Sequence, residues 1–366
     1  MSRSGVLLTS ASPNRIPSLD GLRTISILLV IASHAAFRFG HQGIFNIGDL
    51  GVRVFFVISG FLITGLLVHE YNSTDRINLV KFYFRRTLRI FPPYYFFLII
   101  LASLTILGKM KNTFSQFWPV FAYVSDYIHP GEWNFDHTWS LSVEEQFYLI
   151  YPGILVFLGR RKIELLLVAT ILLCPLVRAV DHRLFIQYHP IWLIKGFHAN
   201  VDTLGMGCLL ALKQNWLYAK PWYNRLLSSK AMCLLPWLIV AINTQIDYAG
   251  LNLGILFSLN NVLIALFIHW AVTRSNNHFG RLLNSRPFVF VGMMSYSIYI
   301  WQQPFLNPVP QSKYFAFPFN LAGFLFFVCF SYFVVERTSL RIRKKYESEL
   351  FAVPEPKPMI PDLLEV

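Results

Sequence analysis

The chain is a succession of apolar blocks separated by short polar connections. Each block runs for about 18–24 residues, the length that an α-helix needs to cross some 30 Å of hydrocarbon. Ten blocks predict spans near residues 20–38, 51–70, 90–108, 139–158, 162–179, 197–213, 231–248, 250–272, 287–306 and 317–336. The pattern therefore predicts an all-α polytopic membrane helix bundle of about ten transmembrane helices.

Composition supports a membrane protein. Of the 366 residues, 55% are hydrophobic and only 14% are charged, against about 25% charged in an ordinary soluble domain. A soluble chain of this size would need more polar surface to cover its core. The four cysteines lie within apolar blocks and form no CxxC pair, so we expect small core residues rather than disulfides or a metal site.

The positive charges alternate with the predicted spans. The net charge is +13, which by itself could indicate a nucleic-acid partner. However, 23 of the 32 Lys and Arg residues fall at the two ends of the chain and in every second connection, and only six fall in the opposite connections. This bias predicts that both termini are cytoplasmic. It also makes the lipid bilayer, and not nucleic acid, the expected partner of the basic residues.

The chain divides into three predicted parts. Residues 1–15 form a cytoplasmic N-terminal segment, residues 16–345 the membrane domain, and residues 346–366 a Pro-rich tail that we expect to be disordered. "IASHAA" in the first span imitates a signal-peptide cleavage site. The arginine at its start and the nine further spans favour a helix that is not cleaved.

Two ionisable residues share one face of the first span. Arg23 and His34 are eleven residues apart, which is three helical turns and a rise of about 16 Å. Ionisable groups inside a membrane usually face a cavity or a partner and mark a functional site. The alternative is that Arg23 reaches the headgroups and His34 bonds a neighbouring helix.

Basic residues gather where the third span begins. "FYFRRTLRIFPPYY" carries Arg85, Arg86 and Arg89, and arginine binds phosphate through two parallel hydrogen bonds. The alternative is that these charges set the topology and contact anionic lipid.

Two carboxylates lie in the fourth span. "HTWSLSVEEQFYLIYP" carries Glu144 and Glu145, which point about 100° apart on a helix and so face different surroundings. A carboxylate at this depth could orient an imidazole or make an ordinary helix–helix hydrogen bond. Asp202, among small residues of the sixth span, is a weaker candidate. The motifs GxSxG, GxxxxGK, GxGxxG and HExxH are absent.

These motifs together resemble the acyltransferase 3 family of membrane proteins. "IPSLDGLRTISILLVIASHAAF" resembles the family's opening, in which an Arg and a His, here Arg23 and His34, have ten residues between them. "GVRVFFVISGFLITGLL" resembles its second-span motif, which includes Ser59, and "FYFRRTLRIFPPYY" contains its RxxR as Arg86 and Arg89. "HTWSLSVEEQFYLIYP" matches its fourth-span motif at Glu144, and "VGMMSYSIYIWQQP" and "FVVERT" fit its last two spans. The resemblance covers about residues 16–345.

Two positions depart from the family pattern. Many relatives have a histidine where this chain has Gln302, so His34 is left as the main candidate for a general base. Many relatives also have an arginine shortly before the acid of the sixth span, where this chain has Asn200 before Asp202 and no arginine nearby in sequence. This second departure leaves the identity of the acceptor open.

The resemblance implies an enzyme that moves an acyl group from cytoplasmic acyl-CoA to a hydroxyl of a glycan, or of a small molecule such as a macrolide. His34 is then the expected base, Glu144 its orienting group, and Arg23, Arg85, Arg86 and Arg89 the acyl-CoA ligands. Supporting or acceptor-contacting roles fall to Ser59, Glu145, Asp202 and Gln302.

Acyl-CoA is expected as a co-substrate with no bound cofactor, and a bacterial inner membrane is the expected location. A transporter and a non-catalytic partner of a polysaccharide synthase are alternatives that would not consume acyl-CoA.

Overall fold

The computed structural model describes residues 16–40, 46–185, 195–246, 252–309 and 315–351, and the regular elements within these ranges are all helical. The prediction of an all-α fold is therefore confirmed. The predicted N-terminal segment 1–15 and residues 352–366 of the predicted tail lie outside the described residues.

Fourteen α-helices follow one another along the described chain. They are α1 (Pro17–Arg38), α2 (Asn46–Thr74), α3 (Leu79–Ile106), α4 (Phe117–Phe121), α5 (Trp133–Asp136), α6 (Thr138–Phe185), α7 (Phe197–Tyr218), α8 (Pro221–Ser228), α9 (Leu235–Thr244), α10 (Asn252–Thr273), α11 (His278–Leu283), α12 (Arg286–Phe305), α13 (Phe319–Phe330) and α14 (Arg337–Leu350).

Six of the described helices are long and apolar enough to cross a membrane, or seven if a bent pair around α8 and α9 counts as one span. One of the six, Trp133–Leu184, has 52 residues, about 78 Å of helix and more than twice the hydrocarbon thickness. It breaks at Gly159, whose φ is 70°, between the predicted fourth and fifth spans. The chain is an integral membrane protein, while the count of ten and the cytoplasmic termini stay predictions.

Helix α1 runs parallel to α12. Thr24 Oγ1 donates to Phe288 O at 2.5 Å near the start of the pair, and His34 meets Gln302 near its end. The backbones touch at Gly292, where a Cβ atom would lie only 1.9 Å from the main-chain oxygen of Asp20. Glycine is therefore required at this approach.

The last helix extends beyond the predicted membrane domain. Helix α14 continues to Leu350, whereas we predicted that a disordered tail begins at residue 346. Contacts with α3 explain the difference, because Ser339 Oγ donates to Leu88 O and Glu347 forms an ion pair with Arg85.

The cysteines divide into two groups. All four are free, and Cys174 and Cys208 are buried as expected. The same expectation was wrong for Cys233 and Cys329, which are exposed. Both lie in apolar segments, and the apolar surface of a membrane protein can face lipid, so an apolar residue there need not be buried.

Candidate active site

A line of polar side chains follows α1 from its beginning to its end. At the start of α1, Arg23 interacts electrostatically with Glu144 of α6 and Arg89 of α3. Near the end of α1, His34 hydrogen-bonds α12 and contacts Trp133, just before α6. The first part of α6 is therefore antiparallel to α1. We call this line of residues the polar column. Its arginine end contains Arg23, Arg89 and Glu144, and its histidine end contains His34.

His34 is held at the histidine end by Gln302. The ring Nδ1 lies 2.7 Å from Gln302 Oε1, and an amide oxygen can only accept a hydrogen bond. This contact favours the tautomer of the neutral imidazole that carries its proton on Nδ1 and its lone pair on Nε2. Gln302 is completely buried, and its own Nε2 has no hydrogen-bond partner among the described residues.

A second histidine and a second glutamine lie beside this pair. His137 donates from its backbone N and places Nδ1 against the same Gln303 Oε1, at 2.6 and 2.5 Å. Trp133 donates from Nε1 to Gln303 O at 2.9 Å and meets the His34 ring edge to face, with ring centroids 5.5 Å apart. Sequence reasoning gave no role to His137 or Gln303, although both lie within motifs quoted above.

Glu144 lies closer to the arginine end than we expected. It accepts a hydrogen bond from Ser59 Oγ at 2.7 Å and interacts electrostatically with Arg23 and Arg86. We predicted that Glu144 orients His34, but the structure places Gln302 in that position. The register of the two antiparallel helices explains the difference. His137 lies at the level of His34, and Glu144 lies about two helical turns further along α6.

The arginine end joins α1, α3 and α6. The guanidinium of Arg86 lies over the Tyr148 ring, 4.6 Å from its centroid, and interacts electrostatically with Arg89 and Arg23. Arg23 forms an ion pair with Asp20 at 3.8 Å. Of the four arginines singled out in the sequence, three therefore lie within electrostatic range of one another.

The fourth arginine, Arg85, makes its contact outside this group. It forms an ion pair with Glu347 of α14, and 38% of its side chain is exposed.

Glu145 faces different surroundings from Glu144. Its charge interacts with Arg86, and it lies in electrostatic range of Tyr94, Tyr123 and Tyr296. Its Oε1 and the hydroxyl of Tyr123 are buried with no hydrogen-bond partner in the described part of the chain. Glu145 thus belongs to a tyrosine-lined region behind the polar column.

Asp202 is part of a buried ion pair. Arg178 Nη1 and Nη2 donate to its two carboxylate oxygens at 2.9 and 2.8 Å, and Ser258 Oγ donates to Oδ2 at 2.8 Å. Each charged side chain is only 1% exposed. Sequence reasoning missed Arg178 because it lies on α6 and not beside Asp202 on α7.

An acid in the connection before α5 links the first part of α6 to the start of α7. Asp126 accepts hydrogen bonds from Gln146 Nε2 at 2.8 Å and Phe197 N at 3.1 Å. Burial raises the pKa of its carboxyl above the ordinary value. Within the described ranges, no three His, Cys, Asp or Glu residues are grouped so that they could hold a metal ion.

Comparisons with known proteins identify the family of the chain. The acyltransferase 3 profile, described as an acyltransferase domain, matches residues 16–336. O-acetyltransferase OatA of Staphylococcus aureus is 29% identical over 322 aligned residues, covering 81% of this chain and 51% of that protein. Peptidoglycan O-acetyltransferase OatA of Listeria monocytogenes is 29% identical over 330, covering 82% of this chain and 50% of that protein.

The chain spans about half the length of these curated relatives, and no solved structure matches it significantly. The family profile, in contrast, covers most of the chain. The chain belongs to the acyltransferase 3 family.

Proposed function

We propose that the protein is a membrane O-acyltransferase that moves an acyl group, most simply acetyl, from acyl-CoA to a hydroxyl of a cell-surface glycan. The relatives named as O-acetyltransferases support the reaction, and the Listeria relative named for peptidoglycan supports a glycan acceptor. The observation that carries the proposal is the His34–Gln302 hydrogen bond at one end of a column that begins among arginines.

The donor lies along the polar column in this proposal. The phosphates of CoA carry several negative charges, which favours the end formed by Arg23, Arg86 and Arg89, because arginine binds phosphate oxygens in pairs. From Arg23 to His34 the helix rises about 16 Å, a length that the extended pantetheine arm of CoA can span. The thioester then reaches His34 while the nucleotide stays among the arginines.

The acyl transfer itself uses His34 as a general base. The lone pair on Nε2 takes the proton from the acceptor hydroxyl as its oxygen attacks the thioester carbonyl carbon. The tetrahedral intermediate collapses, the carbon–sulfur bond breaks, and the leaving thiolate takes the proton from the imidazolium. Gln302 keeps the other ring proton on Nδ1 throughout and so fixes the tautomer.

Neighbouring residues position these groups. Glu144 accepts the Ser59 hydrogen bond and, through its charge, holds Arg23 and Arg86 along the column. Asp202, through Arg178, supports the bundle from a distance. The mechanism uses no bound cofactor or metal, and a closed site within the bilayer would limit hydrolysis of the thioester.

Membranes that contain the protein provide the test. We would incubate them with radiolabelled acetyl-CoA and a panel of glycans that includes peptidoglycan fragments, and compare His34→Ala with the wild type at equal protein levels. The matched control is His278→Ala, an exposed histidine at the start of α11. We expect label transfer by the wild type and the control, and a loss of at least about 100-fold in His34→Ala.

Two results would contradict the proposal. Full transfer by His34→Ala would exclude His34 as the base. No release of CoA from any acyl-CoA with any acceptor would contradict an acyl-CoA-dependent enzyme and would favour a transporter or a non-catalytic partner of a polysaccharide synthase. A bacterial inner membrane as the location belongs to the same proposal.

A further inference from the structure

Helix α14 lies beyond the family match, which ends at residue 336, yet it borders the arginine end of the polar column. Ser339, Arg343 and Glu347 follow one another at intervals of four residues and so share one face of the helix. Ser339 Oγ donates to Leu88 O, and Glu347 forms an ion pair with Arg85. Arg343 therefore lies between these two contacts, against the segment of α3 that carries the arginines.

Arg343 brings another positive charge to this region. It is partly buried and interacts electrostatically with Arg89 and Arg85, which repel it, and with Glu347, which attracts it. Its Nε is buried with no hydrogen-bond partner among the described residues. An arginine that is repelled by neighbouring arginines and has an unused buried donor would be stabilised by a bound anion.

The acidic residues of the region form ion pairs with only some of its arginines. Across the described segments, the ion pairs within 4.0 Å here are those of Arg23 with Asp20 and of Arg85 with Glu347. The remaining arginines are Arg86, Arg89 and Arg343. Glu144 and Glu145 act on Arg86, and Glu336 acts on Arg89, without an ion pair within that distance.

We propose that Arg343 of α14 completes a phosphate-binding site with Arg86 and Arg89, and that this site takes the phosphates of the nucleotide end of the acyl donor. The proposal rests on the acyl-CoA-dependent function and adds a helix that the family profile does not include. Guanidinium groups from two antiparallel helices can each form paired hydrogen bonds to phosphate oxygens. The phosphate of a lipid headgroup has the same chemistry, so the test must separate the two sources.

The test measures nucleotide binding by the purified full chain in nanodiscs of phosphatidylcholine. The probe is adenosine 3′,5′-bisphosphate, which carries CoA-like phosphates but no acyl group or thiol. We expect Arg343→Ala to raise its Kd by about tenfold or more, and Arg343→Lys to raise it less. The matched control is Arg341→Ala, on the exposed side of α14, which should bind like the wild type.

A structural role is separated by two further measurements. Ser339→Ala removes a contact that docks α14 without removing a charge, so it should leave the Kd unchanged. In turnover assays, Arg343→Ala should raise the KM for acetyl-CoA by about tenfold and leave kcat unchanged. With acetyl-pantetheine, which lacks the nucleotide, the variant and the wild type should not differ.

The outcomes distinguish failure of this inference from failure of the proposed function. Equal nucleotide binding by the wild type and Arg343→Ala would overturn this inference and leave the proposed function standing. No nucleotide binding by the wild type would overturn both the acyl-CoA donor and the inference. If Arg343→Ala reduces only the retention of phosphatidylglycerol in mixed nanodiscs, the phosphate belongs to a lipid headgroup and the nucleotide inference is overturned.

Discussion

Replacing Gln302 with leucine tests how His34 is held. The substitution keeps the approximate size of the side chain and removes the oxygen that lies 2.7 Å from His34 Nδ1. Gln302 is completely buried, so water cannot readily replace that acceptor. Loss of one hydrogen-bond partner in such a place costs about 1–3 kcal/mol, and each 1.4 kcal/mol in the barrier is about tenfold in rate. We therefore expect kcat to fall by about 5- to 150-fold.

The assay is CoA release by purified protein in nanodiscs, at saturating acetyl-CoA and acceptor, with the melting temperature measured in parallel. A double-mutant cycle supplies the control, because Gln302 acts through His34 in this account. Gln302→Leu should therefore have little further effect in a His34→Ala background. Independent, multiplicative losses from the two substitutions would refute the reasoning, and so would an unchanged kcat in Gln302→Leu.

Three further predictions concern neighbouring parts of the bundle. Glu144→Gln keeps a hydrogen-bond acceptor for Ser59 but removes the charge that positions Arg23 and Arg86. Misplaced arginines bind phosphates less well, so the rate at subsaturating acetyl-CoA should fall about tenfold; an unchanged or higher rate would contradict this role. Asp202→Asn leaves the buried Arg178 without a counterion, at a cost of about 3–5 kcal/mol of stability. The melting temperature should therefore fall while turnover per folded molecule stays unchanged. An unchanged melting temperature with reduced turnover would indicate a substrate contact instead. Gly292→Ala should lower both the melting temperature and the activity, because the new Cβ would lie 1.9 Å from a main-chain oxygen. The control Gly153→Ala, whose Cβ would have nothing within 4 Å, should change neither. Equal behaviour of the two variants would refute the packing argument.

The helices could be predicted from hydropathy because a bilayer demands long apolar segments with internally bonded backbone. Helix α1, for example, spans Pro17–Arg38 against a predicted 20–38. The start of α3 could not be placed in the same way. It begins at Leu79, well before residue 90, because its first turns carry arginines and lower the hydropathy although they are helical.

Only part of the site could be predicted from the sequence, for a related reason. Arg23 and His34 stand out in the sequence because each interrupts an apolar run. Their partners do not stand out, because Gln302 is 268 positions from His34 and Arg178 is on a different helix from Asp202. Such pairings depend on the direction and packing of helices, which hydropathy does not encode.

The most direct test of the account is a cryo-EM structure of the full chain in nanodiscs with a bound analogue of acetyl-CoA. The analogue is a thioether that keeps the carbonyl group but cannot transfer an acyl group. The account predicts that the phosphates lie among Arg86, Arg89 and Arg343, and that the carbonyl carbon lies near His34 Nε2, with room for an acceptor oxygen between them. A nucleotide bound at the histidine end, or a carbonyl carbon out of reach of His34, would contradict it.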